Sequence, residues 1–187
     1  MKLFKVLAVA GVTAALLAGC GSDKDTANNA AATTAPTTAP AAEQPDASSS
    51  ASIVNQADAF MTAVSDKGTW IVAVLNDLTV DKDVVVAGEF HDKNDTSKPV
   101  YRKLALYAQD ADHKVTASYT LTAPKVTVQS ENFRVQGGTI KGDVYVEANG
   151  FNLYKDATID GNLYFSSEDV KATAVLEGKV TGATEVK

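Results

Sequence analysis

Hydrophobic residues follow three regimes along this chain. Val6 to Leu17 is apolar or small apart from Thr13 and is preceded by Lys2 and Lys5. A run this short with a basic flank predicts an export signal rather than a membrane-spanning helix. From Gly21 to Ser52 there is no Val, Ile, Leu, Met or aromatic residue, and 23 of the 32 positions are Ala, Thr, Ser or Pro. Such a segment buries too little apolar surface to offset its ordering entropy, so it reads as a disordered tether with an r.m.s. reach of roughly 30 Å. From Ile53 onward apolar residues become periodic. Ile53, Ala57, Phe60, Met61 and Val64 share one helical face, with Ser52 as N-cap and Gly68 as stop, predicting a helical cap over 53–68. Beyond Gly68 the period falls to two, in short Val-, Ile-, Thr- and Tyr-rich runs broken by Gly, Asn and Asp, the pattern of strands.

The strand region repeats. Ile140-Lys141-Gly142-Asp143-Val144, Ile159-Asp160-Gly161-Asn162-Leu163 and Leu176-Glu177-Gly178-Lys179-Val180 share the form hydrophobic-x-Gly-x-hydrophobic, and Val86-Ala87-Gly88-Glu89-Phe90 is an upstream copy. A hydrophobic-x-hydrophobic triplet precedes each: Leu78-Thr79-Val80, Phe133-Arg134-Val135, Phe151-Asn152-Leu153 and, more weakly, Val170-Lys171-Ala172. Starts separated by 19 and 17 residues exclude helical repeats and fit a parallel β-solenoid, whose coils stack about 4.8 Å apart. An antiparallel sandwich or barrel with turns at chance regularity is the competing architecture; the agreement of two sub-motifs favours the solenoid. Its register places Ile140, Val144, Ile159, Leu163, Leu176 and Val180 in one inward column. It also stacks Lys141, Asp160 and Glu177, then Asp143, Asn162 and Lys179, then Tyr145, Tyr164 and Thr181. An insertion at about 91–124 interrupts the series, with Lys103 to Tyr107 and Val115 to Leu121 paired as a β-hairpin. The helix and the apolar strand Trp70 to Leu75 are available to cover one end.

Two resemblances follow from these residues. Leu17-Ala18-Gly19-Cys20 resembles the lipobox of bacterial lipoproteins. That implies cleavage before Cys20 and a lipid on its thiol, with two or three acyl chains anchoring the protein at roughly 0.8 kcal/mol per methylene. The coils from Val126 to Val186 resemble bactofilins, polymer-forming bacterial cytoskeletal proteins, which implies a short right-handed parallel β-helix. Bactofilins are normally cytosolic and their coils stack without interruption, and a covered end cannot polymerise head to tail, so the resemblance transfers fold more readily than filament formation. The implied organisation is a signal peptide at 1–19, a lipidated Cys and tether at 20–52, and a mainly β solenoid domain at 53–187.

Charge and candidate chemistry narrow the function. With 17 Lys plus Arg against 23 Asp plus Glu and formal charge −6, no basic stripe exists to track a phosphate backbone, and no nucleic-acid partner is expected. Loss of Lys2 and Lys5 with the signal makes the protein two units more negative. One Cys permits no intrachain disulfide and no Cys-based zinc cluster. The two histidines, His91 and His113, have no Gly-x-Ser-x-Gly elbow to serve. Glu89 to Asp95 lacks the spacing of a calcium loop and reads as a solvated turn, so neither metal nor cofactor is expected. Tyr145 and Tyr164, flanked by inward residues, should point outward one coil apart, either as a packing ladder or as a glycan-stacking strip. The expected function is a membrane-anchored extracytoplasmic lipoprotein presenting a structural or interaction module. The alternative is a cell-envelope polysaccharide binder or, less readily, a polysaccharide-processing enzyme. Expected partners are the membrane through the anchor, a second copy end to end through the coil of Leu176 to Val180, and an envelope protein or glycan.

Overall fold

β-branched runs ended by turn residues give strands just long enough to cross one face before the chain bends. The computed structural model describes residues 51–187. In chain order, β1 (Ala51–Ile53) precedes α1 (Ala57–Val64), and β2 (Ile71–Ala73), β3 (Leu78–Thr79) and β4 (Val84–Val86) complete a first circuit. The second circuit comprises β5 (Arg102–Ala105), the excursion β6 (Tyr107–Gln109) and β7 (Val115–Ser118), and the long β8 (Thr120–Val128). Then come β9 (Phe133–Gln136) and β10 (Thr139–Val146), followed by β11 (Asn152–Leu153), β12 (Thr158–Asp160) and β13 (Leu163–Phe165). After α2 (Glu168–Ala172) the last circuit holds β14 (Val175–Leu176), β15 (Lys179–Val180) and β16 (Thr184–Val186).

Each circuit visits a six-stranded sheet, ordered β1-β2-β5-β9-β11-β14, and then crosses an eight-stranded sheet made of β3, β4, β8, β10, β12, β13, β15 and β16. All pairs in both sheets are parallel. The protein is therefore mainly β with parallel sheets, and an antiparallel sandwich is excluded. Among the described residues β6 and β7 pair antiparallel as a two-stranded ribbon, and an isolated antiparallel bridge joins His91 to Val100.

Parallel pairing in register brings like residues together. Val72, Leu104, Val135 and Leu153 line the inner face of the six-stranded sheet. On the other sheet Leu78, Leu121, Ile140 and Ile159 form one buried column, and Val84, Val126, Val144 and Leu163 another. Phe60, Ala63 and Val64 of α1 are buried in the same core.

Several expectations are corrected. Ala51–Ile53 is a strand paired with β2, so Ile53 is not helical; α1 starts after Gln56 and ends at Val64, capped by Ser65 and short of Gly68. Lys103 belongs to β5 and Leu121 to β8, each inside a large sheet, so the predicted insertion at 91–124 is really two excursions flanking β5. The hairpin is confined to β6 and β7. Leu78-Thr79 pairs with Leu121-Thr122 in the eight-stranded sheet, away from the triplets at Phe133 and Phe151. Val170-Lys171-Ala172 is helical, and Val175-Leu176 takes its expected place beside Asn152-Leu153. Val86 ends β4, and with it the first circuit, opposite Val128 and starts no repeat.

The register of the last circuit changes most. Ile159 pairs with Val180 and Leu163 with Thr184, so the true copy is Val180-Thr181-Gly182-Ala183-Thr184. Lys141 stacks on Asp160 and Tyr145 on Tyr164, but Asp160 meets Thr181, whose Oγ1 donates to its Oδ1 at 3.0 Å, and Tyr164 meets Glu185. Asp143 Oδ1 accepts from the backbone and side-chain nitrogens of Asn162, and Asn162 Oδ1 accepts from Ala183 N. Leu176 sits at the margin, 41% exposed.

The shared glycine has a steric cause. A Cβ on Gly161 would lie 2.3 Å from Gly142 O, and one on Gly142 would lie 2.0 Å from Ala123 O, so at this bend each circuit rests directly on the carbonyl below. Gly142 also holds φ +140, which side-chain-bearing residues rarely adopt.

Arg102 is the largest fully buried side chain, with 1% exposed. It faces inward because it shares parity with Leu104 along β5. Its Nη2 donates to Ala63 O (2.7 Å) and Ser65 O (3.0 Å), Nε to Thr69 O (3.2 Å), and Nη1 to Ser130 Oγ (3.2 Å) and to Ala87 O. The Phe90 ring lies 4.2 Å from the guanidinium carbon. Burial pulls the guanidinium pKa down to about 10, which leaves it charged at neutral pH.

Two expectations follow. Leu163→Ala, in the fully buried column, should cost about 2–5 kcal/mol, whereas Leu176→Ala should cost under about 1 kcal/mol; equal losses in urea unfolding would contradict this register. Arg102→Leu strands carbonyl groups in the core and should cost about 3 kcal/mol or more, with Arg102→Lys intermediate because one ammonium cannot span the same acceptors. A loss under about 1 kcal/mol for Arg102→Leu would remove the guanidinium from its central position.

Candidate functional site

The outer face of the six-stranded sheet supplies a site. Since Val72, Leu104 and Val135 point inward, their neighbours Ile71, Lys103 and Arg134 point outward, and register places these three in one row across β2, β5 and β9. Asn152 of β11 continues the row. Trp70 and Tyr101, each one residue ahead of its strand or nearly so, rise beside the row with ring centroids 6.0 Å apart and planes tilted by 55°. The excursion from Phe90 to Val100 closes one side: His91 bridges to Val100, Tyr101 N donates to Phe90 O, and a short 3-10 turn occupies Asp92–Asn94. Ile71, Lys103 and Arg134 of the row, Trp70 and Tyr101 beside it, and Asp92, Pro99, Val100 and Asn132 line an open cleft of about 670 Å³, a size typical of ligand sites.

The electrostatics of the row are unusual for an acidic protein. Parallel neighbours lie about 4.8 Å apart, so Lys103 and Arg134 sit side by side. Burial, reinforced by Arg134, lowers the Lys103 pKa, with Asp156 opposing. Among the described residues the ion pairs are His91 with Glu89 and Lys171 with Glu168, and neither row cation is in one. Lys103 Nζ makes only long contacts, 3.4 Å to Tyr107 Oη and 3.5 Å to Gln136 Oε1. Arg134 lies between two aromatic rings, its guanidinium carbon 5.0 Å from the Tyr154 centroid and 5.9 Å from that of Tyr101. Burial raises the Tyr101 and Tyr107 pKa values, keeping both phenols protonated at neutral pH. Trp70 Nε1, Arg134 Nε and Asn152 Oδ1 are buried without a hydrogen-bond partner.

No protein-family model, curated protein or solved structure matches this chain.

The residues singled out from sequence lie elsewhere. Tyr145 and Tyr164 do stack, with centroids 4.7 Å apart, but Tyr164 is only 7% exposed. Lys125 covers the Tyr145 ring at 4.9 Å and Lys187 the Tyr164 ring at 3.6 Å. The pair is thus a cation-capped packing ladder and offers no open ring face for a sugar. Cys20 and the lipobox residues Leu17, Ala18 and Gly19 lie outside the described residues. In the Glu89 to Asp95 stretch, His91 Nδ1 contacts Lys98 O at 2.7 Å, and Asp95 accepts from the nitrogen and hydroxyl of Ser97, which lower its pKa. Among the described residues no three His, Cys, Asp or Glu side chains gather as a metal cluster.

Trp70, Tyr101, Lys103 and Arg134 were not singled out from sequence. Strand parity could have found Arg134, which is the polar centre of Phe133-Arg134-Val135. Pairing it with Lys103 required knowing that a 31-residue interval still returns to the same sheet position.

Proposed function

We propose that this chain is an extracytoplasmic lipoprotein, anchored through Cys20 and carrying a short parallel β-helix as a structural and interaction module. In this reading the two parallel sheets are the faces of one solenoid. The repeated in-register pairing supports it, as does the rule that parallel strands joined by crossovers wind right-handed. The α1 helix then serves as the cap of the first coil, and the excursions decorate the stack without breaking it. Sequence resemblance to the lipobox and to bactofilin coils supports location and architecture. Among the described residues no helix is long and apolar enough to cross a membrane.

The observation that carries the interaction role is the contrast between the first and last circuits. Val72, Val84 and Val86 are 1%, 0% and 0% exposed, whereas Val175 and Leu176 are 47% and 41% exposed and Val180 and Val186 only partly buried. The outer edges of β14, β15 and β16 are unpaired among the described residues, which favours strand addition by a second copy. The first circuit also has unpaired edges at β1, β3 and β4 among the described residues, but α1 packs over that end; with the last circuit as the single adhesive end, association closes as a two-fold dimer rather than an open filament.

Two measurements test this. Metabolic labelling should place fatty acid on the wild-type protein and none on Cys20→Ser; an unlabelled wild type removes the anchor. In sedimentation, the Cys20→Ser chain should self-associate weakly to a dimer that Leu176→Lys dissolves. A strict monomer at high micromolar concentration removes the end-to-end contact, and growth without limit replaces the dimer by a polymer.

A further inference from the structure

We propose that the cleft beside Trp70 and Tyr101 binds an acidic saccharide, a sugar chain whose rings carry carboxylates. This goes beyond the anchoring and assembly roles and uses a different face of the molecule. The first argument is charge. Lys103 and Arg134 stand side by side on a strand row with no carboxylate in ion-pair contact, in a chain with six more acidic than basic residues. Like charges in adjacent rows repel, and an anion seated between them relieves both. The Arg134 guanidinium carbon lies 5.9 Å from the Tyr101 centroid and 5.0 Å from that of Tyr154, and its planar fork matches a carboxylate in geometry.

The second argument separates a sugar from a bare anion or a nucleotide. Trp70 and Tyr101 meet at 55° and form a corner, with no parallel slot to clasp a flat base. A pyranose presents both an apolar C–H face and a rim of hydroxyls; Trp70, 6% exposed, only backs the corner, and the half-buried Tyr101 ring supplies the surface for the former. For the rim there are Asn132 and the Asp92 carboxylate. Sugar hydroxyls donate to the Asp92 carboxylate. The cleft runs along a sheet face and is open, which suits an extended chain of rings.

The test uses calorimetric titration of the full chain in nonionic detergent with trigalacturonate, trimannuronate, neutral galactotriose, inorganic phosphate and adenosine monophosphate. At least one uronate trimer should bind at least about tenfold more tightly than galactotriose. Arg134→Gln and Lys103→Gln should each weaken that trimer by about tenfold or more, and Lys141→Gln, on the other sheet, should leave it unchanged. Unfolding curves establish that each variant is folded, and the wild-type contrast between charged and neutral trimers stands even if one is not. The proposal is overturned if neither uronate trimer binds, if galactotriose binds equally, if phosphate or the nucleotide binds as tightly as the trimers, or if the folded variants bind like wild type.

Discussion

A single buried guanidinium organises the first part of the fold. Arg102 gathers carbonyl oxygens from the end of α1, the chain entering β2 and the exit of β4, and adds the hydroxyl of Ser130. Few side chains can serve so many acceptors at once: five N–H donors in a rigid planar fork match several carbonyls without needing a carboxylate. Burying a charge is costly, and the surrounding carbonyl dipoles offset that cost only if every one of those segments is in place. Arg102 therefore couples the helix to the sheets. The close fit extends to Gly68, where a Cβ would lie 1.8 Å from Ala63 O and 2.9 Å from the guanidinium.

Further along the chain, the stack is maintained by shorter-range devices. At the last three bends of the eight-stranded sheet Gly142, Gly161 and Gly182 let one circuit settle on the carbonyl of the one below, and beside them Asp143, Asn162 and Ala183 pass hydrogen bonds from circuit to circuit. Asn162 thus has a structural role that its surface position alone does not suggest. Because these contacts repeat at the bend, circuits lengthen elsewhere at little cost. The β6–β7 ribbon and α2 are such excursions, and pairing resumes in register after each.

The cleft arises from the same tolerance. The excursion between β4 and β5 returns along the six-stranded sheet, where His91 bridges to Val100 and Phe90 packs on the Arg102 guanidinium. Arg102 thereby links the core to one wall of the cleft, while its chain neighbours Tyr101 and Lys103 face outward into it. Alternating parity along one strand separates a buried cation, which organises the fold, from an outward cation with no carboxylate partner.

Much was legible locally. Alternation in Phe133-Arg134-Val135 and Val144-Tyr145-Val146 assigns inward and outward residues because side-chain period in a strand is fixed at two. The recurrence of Gly142 and Gly161 nineteen residues apart exposes the circuit, since both meet the same steric demand at the bend. The sequence by itself thus determined a β-rich, repeating domain and the phase of its best strands. Only the tertiary structure decided which runs pair. Leu176-Glu177-Gly178 imitates the repeat, yet α2 lengthens that circuit so that Val180 reaches Ile159 instead. Excursions of different length likewise hid that Lys103 and Arg134 are neighbours and that Arg102 lies within reach of Ala63, Ala87 and Ser130. Register across an excursion depends on the summed fit of distant surfaces, and no local period encodes that sum.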